Sequence, residues 1–166
     1  MTIDQITLLL LWILFPLLLL IFVPKDRIRE LVAVFLYFHA LTWAFSIVLT
    51  HYGLLQAGTL EFPHATKINF SLEYIVYPSI AVFFQLWFPE HRCRRLKALY
   101  YLFFVLLILT IIILVSIFTN LIFLTVSGVI SSFFNFLIEF VLCRKFIQWF
   151  LRGDLILESR SGYEYE

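Results

Sequence analysis

Five stretches of this chain run on with almost no charge for about the length that a bilayer crossing requires. A spanning helix needs about 20 mostly apolar residues at 1.5 Å rise each. The segments at about 6–23, 31–50, 73–88, 98–118 and 121–142 meet that requirement, the third being short unless 68–72 extends it. The first contains Pro16 and stops at the polar run Pro24-Lys25-Asp26-Arg27-Ile28-Arg29-Glu30. The third is expected to kink or break near Pro78, because proline lacks the N–H that an unbroken helix uses. Thr119-Asn120 reads as a tight turn between the fourth and fifth, and the fifth has room to continue through Trp149 at the interface.

A water-soluble alternative fails on composition. Of 166 residues, 63% are hydrophobic and 14% charged, against about 45–50% and about 25% in soluble domains. Lipid takes up apolar surface that water would not tolerate, and helices satisfy their own backbone there. The expected fold is therefore an all-α integral membrane bundle of five transmembrane helices, one domain over 1–150, with a short cytoplasmic tail over 151–166. The first segment is expected to stay in the protein. Asp4 and no Lys or Arg precede it, and no small-x-small cleavage pattern follows.

The basic residues are sorted along the chain. Lys25, Arg27 and Arg29 follow the first segment, Arg92, Arg94, Arg95 and Lys97 the third, and Arg144, Lys145, Arg152 and Arg160 the fifth. Lys67 alone follows the second, and none follows the fourth. Cytoplasmic loops carry the Lys/Arg excess, so the alternation predicts N-out/C-in, and an even number of spans would break it. Most of the Trp and Tyr residues, including Trp12, Trp87, Trp149 and Tyr77, are expected near helix ends at the interface. A net charge of +1 gives no sign of a nucleic-acid partner.

Polar side chains within apolar helices are the informative ones, since a charge near the bilayer centre costs about 2.5–3.5 kcal/mol on insertion scales. On the fifth helix Gly128, Ser131, Ser132, Asn135 and Glu139 recur at steps of three and four, hence on one face. Gly128, Ser131 and Ser132 are the expected helix-packing face. The second helix carries His39, Thr42, Ser46 and Thr50 in the same way. His39 and Asn135 each fall about 13 Å from the inner edge, and Gln85 and Glu139 roughly 6–8 Å. His39, Gln85, Asn135 and Glu139 thus form a candidate intramembrane polar site, suited to proton relay or ion coordination. The plainer alternative pairs Glu139 with Arg144, Arg29 or Lys97 at the interface.

Other features have ordinary explanations. His51, Glu61 and His64 match no zinc pattern and lack a fourth ligand, so no metal and no cofactor are expected. Glu73 is expected at the start of the third helix, favoured by its free N–H groups. Cys93 and Cys143 fall on the predicted cytoplasmic side as thiols. Arg92, Arg94, Arg95 and Lys97 are a candidate lipid-headgroup cluster, at about 1 kcal/mol per basic residue near an anionic surface. No Gly-rich phosphate loop, His-Glu-x-x-His, Gly-x-Ser-x-Gly or paired Asp motif is present, which removes the main support for those enzyme classes.

Three sequence runs carry a resemblance: Glu61-Phe62-Pro63, then Ser71-Leu72-Glu73-Tyr74-Ile75-Val76-Tyr77-Pro78, then Phe118-Thr119-Asn120-Leu121-Ile122 ahead of a last helix ending in Trp149-Phe150. With these the chain resembles a family of small, uncharacterised multi-pass membrane proteins of bacilli and clostridia. The resemblance implies a multi-pass topology in a bacterial cell membrane and carries no activity with it. Three functions stay open. The first is an accessory, scaffold or self-associating subunit, with membrane lipid and a homo-oligomer or another membrane protein as partners. The second is a small transporter or channel with a polar path along helices two and five. The third is an intramembrane enzyme using His39 and Glu139 as base and acid.

Overall fold

The computed structural model describes residues 3–54, 56–57, 64, 69–123 and 125–161, the backbone alone at 56–57 and 153–161. Glu61, Phe62, Pro63 and Lys67, and the residues after Ser161, lie outside the described residues. Five helices follow in chain order: α1 (Ile3–Phe22), α2 (Ile28–His51), α3 (Tyr77–Leu86), α4 (Arg94–Phe118) and α5 (Val126–Ser161). A 3-10 turn, Lys25–Arg27, joins α1 to α2, and a π turn, Leu72–Val76, leads into α3. Two strands of two residues each, β1 (Gln56–Ala57) and β2 (Ile122–Phe123), pair antiparallel.

Four helical segments, Ile3–Phe22, Lys25–His51, Arg94–Phe118 and Val126–Arg152, are long and apolar enough to cross a membrane. Their outward faces carry large apolar side chains such as Leu10, Ile13, Leu17, Val32, Leu36, Phe103 and Ile117. Such surface is stable against lipid and not against water. The chain is a helical membrane protein.

The helix that looks weakest in sequence is the central one. Every residue from Val76 to Val82 is buried, as are Phe84 and Gln85. Its π turn and α3 together span roughly 20–22 Å, short of a hydrocarbon core of about 30 Å. Wrapped by others over most of its length, with Tyr74 turned outward, it meets little lipid and does not need that length. Asn69 caps it, its Oδ1 accepting the Leu72 N–H at 3.1 Å. The capping role expected of Glu73 therefore belongs to Asn69. Ser71 accepts the indole N–H of Trp12 at 2.6 Å, and Trp12 lies midway along α1. The third segment thus begins inside the bundle, and Trp12 is held there by a partner and not by an interface. Tyr77, also expected near an interface, is buried.

No break occurs at Pro78. The chain widens into the π turn, where the Tyr77 N–H bonds Leu72 O, five residues back. In that register the donor to Glu73 O would be residue 78, and proline has none. The Nδ1 of His39 takes its place at 3.2 Å. Because a carbonyl can only accept, Nδ1 carries the hydrogen.

The connection from α4 to α5 also differs from the expected tight turn. Thr119 is extended, Ile122–Phe123 pair with β1, and α5 starts at Val126, five residues after the expected start at Leu121. The apolar run is continuous there, but Thr125 sets the boundary by accepting the Gly128 N–H on its hydroxyl at 3.1 Å. At its other end α5 continues to Ser161, through most of the segment expected to be a solvated tail. At 36 residues it measures roughly 54 Å and must project beyond any bilayer.

The bundle has two distinct ends. At one, Arg27 and Glu30 meet Leu86 and Gln85, and Arg144 meets Glu90. At the other, Asp4 accepts the Asn120 N–H at 3.2 Å and Gly128 lies against the Leu54 carbonyl.

Candidate functional site: a buried carboxylate pair

The inward stripes expected on two helices exist. On α2 the buried residues Val34, Phe38, Thr42 and Ser46 follow at steps of four, while His39 and Thr50 are half-buried beside them. On α5 the buried face runs through Gly128, Ser132, Asn135, Phe136, Glu139, Phe140, Cys143 and Arg144, with Ser131 half-buried. The close approach at Gly128 is real. A Cβ there would sit 2.5 Å from Leu54 O, nearer than such atoms come.

These faces bring two carboxylates into the middle of the bundle. Glu139 is 0% exposed, its Oε1 accepting from Asn135 Nδ2 at 2.6 Å, and Thr42 Oγ1 lies 3.5 Å from its Oε2. Glu73 is 4% exposed and lines one cavity with Ser46 and with Asn135, the residue that bonds Glu139. Beside Glu73 is a cavity of about 20 Å³ lined by Ser46, Asn69, Tyr77, Ser132 and Asn135 among apolar neighbours, with no Lys or Arg among the described residues that line it. Glu73 Oε2, Asn69 Nδ2 and Ser132 Oγ are buried without a hydrogen-bond partner.

The candidate site of His39, Gln85, Asn135 and Glu139 is therefore divided. Asn135 and Glu139 belong together. His39 joins them only through the backbone of Glu73, and its ring packs edge-on against Tyr74 at 4.2 Å. Gln85 belongs to a second polar layer at the Arg27 end. There Arg27 holds both oxygens of Glu30 at 3.0 and 3.1 Å, and Glu30 accepts from Gln85 Nε2 at 2.8 Å. Gln85 Oε1 in turn accepts from Arg144 at 2.8 Å, and Arg144 pairs with Glu90 while its guanidinium stacks 4.2 Å from Phe88. Arg144 is thus turned away from Glu139, so the plainer pairing expected from the sequence does not form. Glu139 lies one turn deeper and bonds Asn135 and Thr42 instead.

Between the two polar layers lie Phe38, Phe84 and Phe140, all fully buried, with ring centroids of Phe140 5.1 Å from Phe38 and 4.7 Å from Phe84. A layer of this kind excludes water between polar compartments.

Glu73 is the site residue that sequence reasoning assigned to another role. Its signal was present, since an ionisable residue inside an apolar helical segment is a functional candidate by default. Of the headgroup candidates, Arg92, Arg94 and Arg95 are exposed, and Lys97 rests 5.9 Å over the Phe88 ring. His51 and His64 are exposed. No group of three or more His, Cys, Asp and Glu among the described residues is gathered as a metal centre would be. Cys93 and Cys143 are free thiols.

Fold and site together define a helical membrane protein with two acidic side chains enclosed at mid-bundle. No known family, curated protein or solved structure matches the chain.

Proposed function

We propose that the chain is a small transporter or channel of the bacterial cytoplasmic membrane, and that a proton or small cation is bound at Glu73 and Glu139 during passage. The observation that carries this reading is the burial of both carboxylates, Glu73 on a cavity with no Lys or Arg among its described lining and Glu139 bonded to Asn135, which lines the same cavity. Each bare charge taken out of water costs several kcal/mol, and nothing in a purely structural subunit requires that cost to be met twice at one place. The small-residue face, which would serve an accessory or self-associating subunit, is used within the chain: Gly128 abuts Leu54 and Ser132 lines the cavity. An enzyme reading loses ground because its acid and base are engaged apart, His39 by the Glu73 carbonyl and the Tyr74 ring and Glu139 by Asn135 and Thr42.

In this reading the chain crosses five times, N-out/C-in. The third crossing is made by the π turn and α3, which end against Arg27. Orientation rests on the basic residues, gathered at the end that holds Arg27, Arg92, Arg94, Arg95 and Arg144 and facing the cytoplasm. The exposed arginines there bind anionic lipid headgroups. The bacterial membrane rests on the resemblance to the family of bacilli and clostridia. With no inverted repeat in one protomer, the working unit is a homo-oligomer.

The test is flux. Purified protein in liposomes should dissipate an imposed proton or cation gradient, and Glu73→Gln or Glu139→Gln should abolish this while leaving the melting temperature within a few degrees. Tight vesicles under proton, sodium, potassium and calcium gradients alike would refute the proposal.

A further inference from the structure

The geometry points to a proton, relayed by one water molecule among Glu73, Asn69 and Ser132, as the ion that the carboxylate pair holds. This rests on reading the pair as an ion site and names the ion.

Asn69, Glu73 and Ser132 all line the cavity. Asn69 is 2% exposed and Ser132 1%. The Oδ1 of Asn69 is engaged by the Leu72 N–H at 3.1 Å, which fixes the amide and leaves Nδ2 as its unpartnered group. The free groups are therefore an amide donor, a hydroxyl and a carboxylate oxygen. One water satisfies all three by accepting from Asn69, donating to Glu73 Oε2 and bonding Ser132. That matches the two to four partners that a buried water takes. A metal cation would face the Asn69 N–H group, which repels it. Hard cations also take about six or more oxygen ligands. A cavity of about 20 Å³ accommodates one water, whose need is about 10–15 Å³, and leaves no room for such a shell.

The surrounding charges agree. From α2 come His39, committed to the Glu73 carbonyl, and Ser46. Tyr77 lines the cavity from α3, and α4 contributes Ile112. From α5 come Ser132 and Asn135, with Glu139 bonded to Asn135, Cys143 on the same buried face and Arg144 turned to Gln85 and Glu90. The π turn is joined to α1 through Ser71 and Trp12. A single proton on the pair leaves one carboxylic acid and one carboxylate. A proton passed to the bridging water is handed on to Glu73 Oε2, the water ending neutral and turned to accept from the new O–H, and release reverses the step.

Infrared difference spectroscopy on the full chain in vesicles of zwitterionic and anionic phospholipid, with 13C-labelled glutamate, tests this directly. The wild type at neutral pH should show the C=O stretch of a protonated carboxylic acid that added sodium, potassium or calcium chloride leaves unchanged. Ser132→Ala should shift the band, and Glu73→Gln with Glu139→Gln should remove it. A wild type with no such band at neutral pH, or a band that any of the three salts abolishes, overturns the proposal. The wild-type salt series needs no variant to fold. Flux in the same vesicles separates the two readings. A salt-insensitive band without flux leaves the proton site standing and removes transport, whereas sodium flux without the band does the reverse.

Discussion

His39 on α2 and Glu73 in the π turn are joined by a hydrogen bond from the ring to a backbone carbonyl at 3.2 Å, and the bond exists because residue 78 is proline. The first prediction follows from that dependence. His39→Ala should strand a buried carbonyl and lower stability by about 1–3 kcal/mol. In a Pro78→Ala background the backbone can supply its own donor, so the same change should cost clearly less. A double-mutant cycle on thermal unfolding in detergent measures the coupling, and equal costs in both backgrounds would remove the proposed link.

Gly128 offers a second test, independent of function. Its Cβ position lies 2.5 Å from a backbone oxygen, which cannot swing aside as a side chain would. Gly128→Ala should therefore destabilise by about 1–3 kcal/mol, although alanine is the better helix former. Ser131→Ala, half-buried one turn along, should be close to neutral. The comparison is read from melting temperatures.

A third prediction concerns the polar layer at the Arg27 end. Arg144 ties Gln85 to Glu90, and its burial makes it dependent on both. Glu90→Ala should cost only about 0–1 kcal/mol, because Glu90 is half exposed and solvent screens the pair. Gln85→Leu removes acceptor and donor together and should cost about 1–3 kcal/mol. Chemical denaturation gives the order, and the reverse order would mean that the ion pair dominates.

The fourth concerns the aromatic layer. Phe84→Ala should cost about 3–5 kcal/mol and open the way between the two polar layers. In a Cys93→Ser, Cys143→Ala background, Ser132→Cys should resist a membrane-impermeant thiol reagent applied from the Arg27 end. Adding Phe84→Ala should expose it. Labelling at equal rates with and without Phe84 would show that the ring is no barrier.

How much of this was legible depended on whether the signal was periodic. The stripe from Gly128 to Glu139 repeats at helical spacing and so was readable, and the four long apolar runs set their own helices. The start of α5 is hidden in the sequence because Leu121–Phe123 are as apolar as the helix beyond them, and the hydroxyl of Thr125 marks the boundary. Gln85 and Glu139 share a depth in projection but not a neighbour, since Phe84 and Phe140 intervene, and linear spacing carries no information on what lies between two helices. Glu73 was assigned to a helix start because it stands near one. The cap belongs to Asn69, which left the carboxylate free to turn inward.

The enclosed position of α3 has a consequence for how the protein is made. A segment this short, with Glu73 and Gln85 along it, has little reason to leave the translocation machinery for lipid by itself, since about 20 apolar residues are needed and each charged one is costly. In the five-crossing reading it becomes favourable once α2 and α5 both supply partners, Glu30 and Arg144 for Gln85 and His39 for the Glu73 carbonyl. In that reading α5 has to be made before the middle of the bundle is committed to the membrane. In that reading the short helix enters the bilayer as a late act of assembly.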